Sequence, residues 1–273
     1  MTDKPRYTLS RRTMLGGIGA VGLASAGAGL GTSAYFNDTE AFTGNTITAG
    51  QLDLIVDWHT DVDQGSATPD VHVHSGTMNG NGDSYSYQIS DVKPGDSGKL
   101  VFCPKIVDNP AYLWLGSAGV TDYENGQSEP EAEVDTTGGD PGEGAGELSE
   151  AIQVVVSQAD SAYVDEETGE LVCENAAVLG GLGNLYPASL ADLASMLSGG
   201  MPVYADYNDT ENQVYPASED ATDQQGKCLC IEWEVPTSVG NEIQTDSLEM
   251  DFQFIAEQAR HNSDGATTNP FAN

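Results

Sequence analysis

The chain has 273 residues and a mass of 28.6 kDa, with 43 Asp+Glu against 9 Lys+Arg and a formal net charge of −34. That balance excludes nucleic-acid binding through clustered phosphate contacts, which need Lys and Arg, and docking on an anionic membrane surface. Hydrophobic residues at 38% suffice for a core, and so acidic a surface suits a fold kept soluble in concentrated salt.

The first 34 residues read as an export address. Ser10-Arg11-Arg12-Thr13-Met14-Leu15 places two adjacent arginines before a weakly hydrophobic stretch, the mark of the twin-arginine route. Small residues at Thr32-Ser33-Ala34 suit a signal peptidase, with the cut expected between Ala34 and Tyr35. An uncut anchor is the alternative, since residues 13–37 lack charge, but seven glycines within 16–31 make a poor spanning helix. Removing residues 1–34 takes four bases and one acid, leaving 5 basic and 42 acidic residues and a net charge of −37.

The remaining 239 residues fit one large all-β domain. Residues 52–58 place Leu52, Leu54, Val56 and Trp58 on one face. Residues 228–235 alternate Leu229, Ile231, Trp233 and Val235 against Glu232 and Glu234. Residues 248–256 alternate Leu248, Met250, Phe252, Phe254 and Ala256 against Glu249, Asp251 and Gln253. A period of two is the signature of half-buried strands. Further strands are predicted at 85–92, 98–107, 111–117 and 151–158, with Pro94-Gly95-Asp96 as a turn. Short strands joined by Gly-, Pro- and Asp-rich turns point to a jelly-roll-like antiparallel sandwich. One short helix interrupts it: Ser189 precedes Leu190, Leu193, Ala194 and Leu197 on one helical face, Asp192 completes a capping pattern, and Gly199-Gly200 ends it. That helix is expected to cover an open end or face of the sandwich. Residues 59–84 and 121–149 are polar or acidic and read as surface insertions.

Four cysteines, Cys103, Cys173, Cys228 and Cys230, are an even count in an exported chain and are expected to form disulfides, with three possible connectivities. Cys228 and Cys230 share one face of a strand, so each should reach another partner; a four-thiolate zinc site is the alternative. Calcium is the cofactor that the remaining residues could hold. Asp61-x-Asp63 and Asn79-x-Asn81-x-Asp83 offer hard oxygen ligands on loops, although the twelve-residue calcium-loop pattern fails at Ser90. Asn208-Asp209-Thr210 and Asn37-Asp38-Thr39 are N-glycosylation sequons, the first in the better loop. No His-Glu-x-x-His, Gly-x-Ser-x-Gly, P-loop or dinucleotide fingerprint occurs, and no catalytic residue is assigned.

The junction Thr32-Ser33-Ala34-Tyr35-Phe36-Asn37-Asp38-Thr39-Glu40, followed by Ala49-Gly50-Gln51-Leu52-Asp53-Leu54, resembles the signal junction and first strand of the TasA/camelysin family. An aromatic pair with Asn-Asp just after the cut and then Ala-Gly-x-Leu-Asp-Leu carry the likeness, over about 25 residues. The remainder, including Asp91-Val92-Lys93-Pro94-Gly95-Asp96, is similar to a haloarchaeal branch of that family. The twin-arginine address departs from the family's bacterial general-secretion signal.

The resemblance implies an extracellular jelly roll that polymerises head-to-tail, as in TasA-like fibres and archaeal bundling pili. The freed N-terminus of one copy would complete the sheet of the next. Residues 35–48, with apolar Tyr35, Phe36, Phe42 and Ile47, would be the donor strand. The expected partner is therefore another copy of this chain, with no nucleic acid and no stable membrane span after cleavage. The alternatives are a camelysin-like secreted metallopeptidase and a monomeric, calcium-stabilised cell-surface protein.

Overall fold

The structure is a computed structural model that describes residues 52–65, 73–135, 142–143 (backbone only), 146–179, 188–209, 213–220, 222–223, 226–262, 264–265 and 267–272. Two antiparallel sheets face each other. The first has the order β11 (Ala177–Val178), β8 (Gln153–Ala159), β13 (Cys228–Glu234), β4 (Ser97–Val107), β1 (Asp53–Asp63), β2 (His74–Asn79). The second is built on β14 (Ser247–Gln258). One side of β14 pairs with β3 (Ser84–Ser90). The other pairs with β6 (Val120–Glu124) and then β5 (Ala111–Gly116), backed by β7 (Gly142–Glu143) and β12 (Met201–Val203). The chain passes repeatedly between the layers, giving the all-β sandwich that the strand pattern predicts.

The strands form where apolar and acidic residues alternate. In β14 the positions Leu248, Met250, Phe252, Phe254 and Ala256 are buried while Glu249, Asp251 and Gln253 stay at the surface. The layers lock through aromatic rings: Phe102 of β4 lies 5.2 Å, centroid to centroid, from both Phe252 and Phe254. Trp233 of β13 donates to the Tyr87 hydroxyl of β3 at 2.8 Å, so neither polar atom is left unpaired in the core. The turn at Pro94-Gly95-Asp96 is as expected. Gly95 takes φ +99°, and the Asp96 carboxylate accepts the Lys93 amide at 2.8 Å.

The predicted helix is α2 (Leu190–Ser198). Ser189 and Asp192 form the reciprocal cap, the Asp192 amide donating to Ser189 Oγ at 3.1 Å. Leu190 donates to Ile152, next to β8, and Ser117, next to β5, donates to Leu197. The helix thus closes the flank between the two layers on the β8/β5 side. A second short helix, α1 (Leu148–Ala151), was not foreseen.

Both predicted surface insertions need correction. Residues 59–84 contain the second half of β1 and all of β2. Their polar composition reflects an edge position rather than a loop. The segment 121–149 holds β6 and α1, with Glu124, Glu131 and Leu148 at 1%, 0% and 0% exposure.

On the outer face of the first sheet, a hairpin of β9 (Ser161–Val164) and β10 (Leu171–Glu174) covers a second cluster of Val101, Ala159, Leu171 and the cysteines. Both disulfides lie here. Cys103–Cys228 joins neighbouring strands β4 and β13, and Cys173–Cys230 fastens the hairpin to β13. Neighbours two apart on one face each find a separate partner, as the strand geometry requires. Lys99 Nζ donates to the Leu171 carbonyl at 3.0 Å and the Leu171 amide donates to Asp61 at 3.3 Å, so the hairpin is also clamped by polar bonds.

Candidate functional site, an uncharged open flank

Opposite α2, among the described residues, the sandwich is open. The first sheet ends at β2 and the second at β3, and among the described residues neither has a strand on its outer side. The turn at 80–83 carries the chain from one layer to the other and is bolted down. Gly80 donates to Leu54 at 3.2 Å and Gly82 to Phe254 at 3.0 Å. Asn81 inserts its amide beside β14, donating to the Ala256 carbonyl at 2.9 Å and accepting the Ala256 amide at 2.7 Å. One side chain there imitates a strand residue and stops the ladder.

The two edge strands read His-Ser-Gly-Thr-Met-Asn and Ser-Tyr-Ser-Tyr-Gln-Ile-Ser. Neither holds an acid, a lysine, an arginine or a proline, the residues that usually blunt an edge against pairing. Residues 71–90 contain a single acid, Asp83, in a chain with 43. The surface positions of inner strands carry the charge instead: Asp53, Asp57 and Asp63 on β1, and Glu249, Asp251 and Glu257 on β14. The edges have therefore been kept neutral while the rest of the surface has not.

Between these edges lie half-buried aromatic rings. Trp58 of β1 packs on Tyr85 of β3 with centroids 4.3 Å apart, and Tyr85 leans edge-on to Phe102 at 6.1 Å. Met78 and Tyr87 complete the apolar floor beneath them. Burial pushes the Tyr85 hydroxyl up from its ordinary value, partly offset by a bond to Thr60. The indole lies over Gly76, where a Cβ would stand 2.6 Å from Trp58. Gly76→Val is therefore expected to displace the indole and destabilise the fold by about 1–3 kcal/mol, read from urea denaturation at fixed salt.

The proposed calcium ligands are not brought together. Asn79 pairs with Ile55 near the start of β1, whereas Asp61 and Asp63 lie at its far end. Asp61 is buried, which raises its carboxyl above the usual range, and its bond to Leu171 gives it a structural duty. Asp63 accepts the Gly65 amide at 2.9 Å, and Asn81 is spent on Ala256. The carboxylate of Asp83 lies against Gly80. Asp61 and Asp63 line a cleft of about 670 Å³ with Lys99, Glu170, Glu232 and Glu234, on the outer face beside the hairpin. The carboxylates that do converge within cation-sharing distance, among the described residues, are Glu124, Glu147 and Asp246.

Asn208 is exposed in a turn where its side chain donates to Asp206 at 3.0 Å, accessible to a glycan; Thr210 of that sequon lies outside the described residues. So do the other expected positions, Arg11, Arg12, Ala34, Tyr35, Phe36, Phe42 and Ile47. No helix among the described residues is long and apolar enough to cross a membrane. The chain matches no known protein-family model, and no curated protein matches it in sequence.

Proposed function

We propose that this protein is an exported structural subunit that polymerises head-to-tail, residues 35–48 of one copy adding a strand to the β2/β3 flank of the next. The single observation that carries the reading is the flank itself: two adjacent, uncharged edge strands over half-buried Trp58 and Tyr85 in an otherwise strongly acidic chain. An unpaired edge offers a row of N–H and C=O groups, and an extended segment with aromatic residues satisfies them while covering the rings. Residues 35–48 have that character, with Tyr35, Phe36, Phe42 and Ile47 among small polar residues. Such a contact joins different surfaces of two copies, so it propagates as a filament rather than closing a dimer. Two disulfides suit assembly in an oxidising, extracellular setting, reached by the twin-arginine route.

The test is electron microscopy of the mature protein in multimolar KCl. Filaments are expected from the chain starting at Tyr35 and none from a chain starting at Gly50. An excess of the peptide spanning residues 35–48 should cap growth. Filaments that persist in the shortened chain, or mature protein that stays as single particles at high concentration, would refute donation by this segment.

A further inference from the structure

We infer that Glu124, Glu147 and Asp246, with Glu131 beside them, form a calcium-binding site at the seam between the 121–149 segment and the start of β14. One carboxylate oxygen from each of Glu124, Glu147 and Asp246 lies within 4.8 Å of the others. Three elements supply them: Glu124 ends β6, Glu147 precedes α1, and Asp246 precedes β14.

The cluster differs from the many solvated acids of this chain in being buried and short of partners. Glu124 is 1% exposed and Asp246 2%. Glu124 draws only on the Gly126 backbone, outside good hydrogen-bond geometry, and Glu131 Oε1, Glu147 Oε2 and Asp246 Oδ1 have no hydrogen-bond partner. Glu131 itself is 0% exposed. Buried carboxylates are expensive unless paired, and an oxygen that no donor reaches is what a missing cation leaves behind. The remaining oxygens hold the scaffold in shape. Asp246 Oδ2 accepts the Glu147 amide at 2.8 Å, and Glu131 Oε2 accepts the Ser128 amide at 3.0 Å and the Thr245 hydroxyl at 3.3 Å.

Among the described residues, no basic side chain relieves the charge. The described lysine ion pairs lie elsewhere, at Lys93, Lys99, Lys105 and Lys227. The charges that act on these three acids are Asp122, Asp135, Glu131 and one another. Asp122 is engaged by the Ser149 amide and hydroxyl, and Asp135 by Gln127. Burial first, and the neighbouring negative charges second, push Glu147 up to about 7 and Asp246 to about 6, with Glu124 also raised. The chain has thus assembled four acids, Glu147 half-buried and the other three buried, that repel one another and that a divalent cation would reconcile.

The donor set selects the ion. Every candidate ligand atom is a carboxylate oxygen, with no thiolate or imidazole among them, which favours a hard cation over zinc or copper. Calcium accepts irregular arrangements of carboxylates, whereas magnesium holds several of its waters in a strict octahedron and resists so dry a place.

Melting of the full chain in fixed multimolar KCl, with saturating Ca²⁺ against EGTA, tests the site. Binding to the folded state alone is expected to raise the midpoint by about 5–10 °C. Ca²⁺ should also slow hydrogen exchange at residues 124–131 and 245–247 in the unaltered protein. Glu124→Gln with Asp246→Asn should abolish the Ca²⁺ shift and melt no lower than the parent in EGTA, since a repulsion has been removed. The inference is overturned by an unchanged midpoint, by an equal shift with Mg²⁺, by a Ca²⁺ shift that survives the double substitution, or by protection that falls elsewhere. If the double variant does not fold, the exchange pattern of the unaltered chain decides alone.

Discussion

Phe102→Ala should cost the fold about 3–5 kcal/mol, a large fraction of the about 5–15 kcal/mol by which folded domains are stable. Phe102 lies at the middle of β4, the strand that joins β1 to β13, and has 0% exposure. Its ring meets Phe252 and Phe254 at 5.2 Å and Tyr85 at 6.1 Å, so truncation removes aromatic contacts with the opposite layer and leaves a cavity that rigid strands cannot collapse around. Urea denaturation at constant KCl measures the loss. Tyr163→Ala, at a ring 46% exposed on β9, is the matched control and should fall within about 0.5 kcal/mol of the parent. A cost for Phe102→Ala no larger than that of the control would mean that the layers are not joined through this ring.

Replacing Cys173 and Cys230 with serine should be as damaging globally and more selective locally. The bridge spans 57 residues, and closing a loop of that length removes about 4 kcal/mol of unfolded-chain freedom on the chain-entropy account. Its native-state role is equally specific, because it is the covalent tie between the β9–β10 hairpin and the outer face of β13. Without it the hairpin retains Asp61 and Lys99 on the Leu171 backbone and a small apolar patch. Hydrogen exchange at residues 171–174 should then accelerate before the sandwich opens, as weakly held units do. The melting midpoint should drop as well. Exchange at those residues that stays locked to global unfolding would show that the polar clamp, not the bridge, holds the hairpin.

Much of this architecture is written in local pattern. β14 follows a period of two because one face meets the opposite layer and the other meets water, β4 and β13 do so only where the hairpin leaves their outer face uncovered, and α2 shows its start in Ser189 and Asp192. Cys228 and Cys230 were legible as face-sharing, but not the hairpin above them. That covering depends on residues 161–174, whose short strands carry little periodicity of their own. The acids mislead most. Glu124, Glu131 and Asp246 read as solvated members of a highly acidic chain, and only the tertiary fold distinguishes them from the exposed majority. Composition near 121–149 cannot report burial created by a strand more than 100 residues away.

The flank could have been found from the sequence, through an absence rather than a motif. Twenty residues with one acid are conspicuous in this chain, but a search tuned to hydrophobic runs passes over serine, threonine and glutamine. The same neutrality explains why residues 59–84 look like a loop. An edge strand alternates between a shallow apolar floor and polar surroundings, and its small side chains mask the period.

The neutral rim formed by β2 and β3 also sets how contact there responds to its medium. Interfaces cemented by opposite charges weaken as ions crowd around them. A joint made from peptide groups and ring faces has nothing for those ions to shield, while excluded salts press its apolar parts together more firmly. Dissolved salt and this seam therefore act in the same direction: brine that would dissolve a charge-paired polymer tightens one built here, and fresh water loosens it by swelling the acidic bodies on either side.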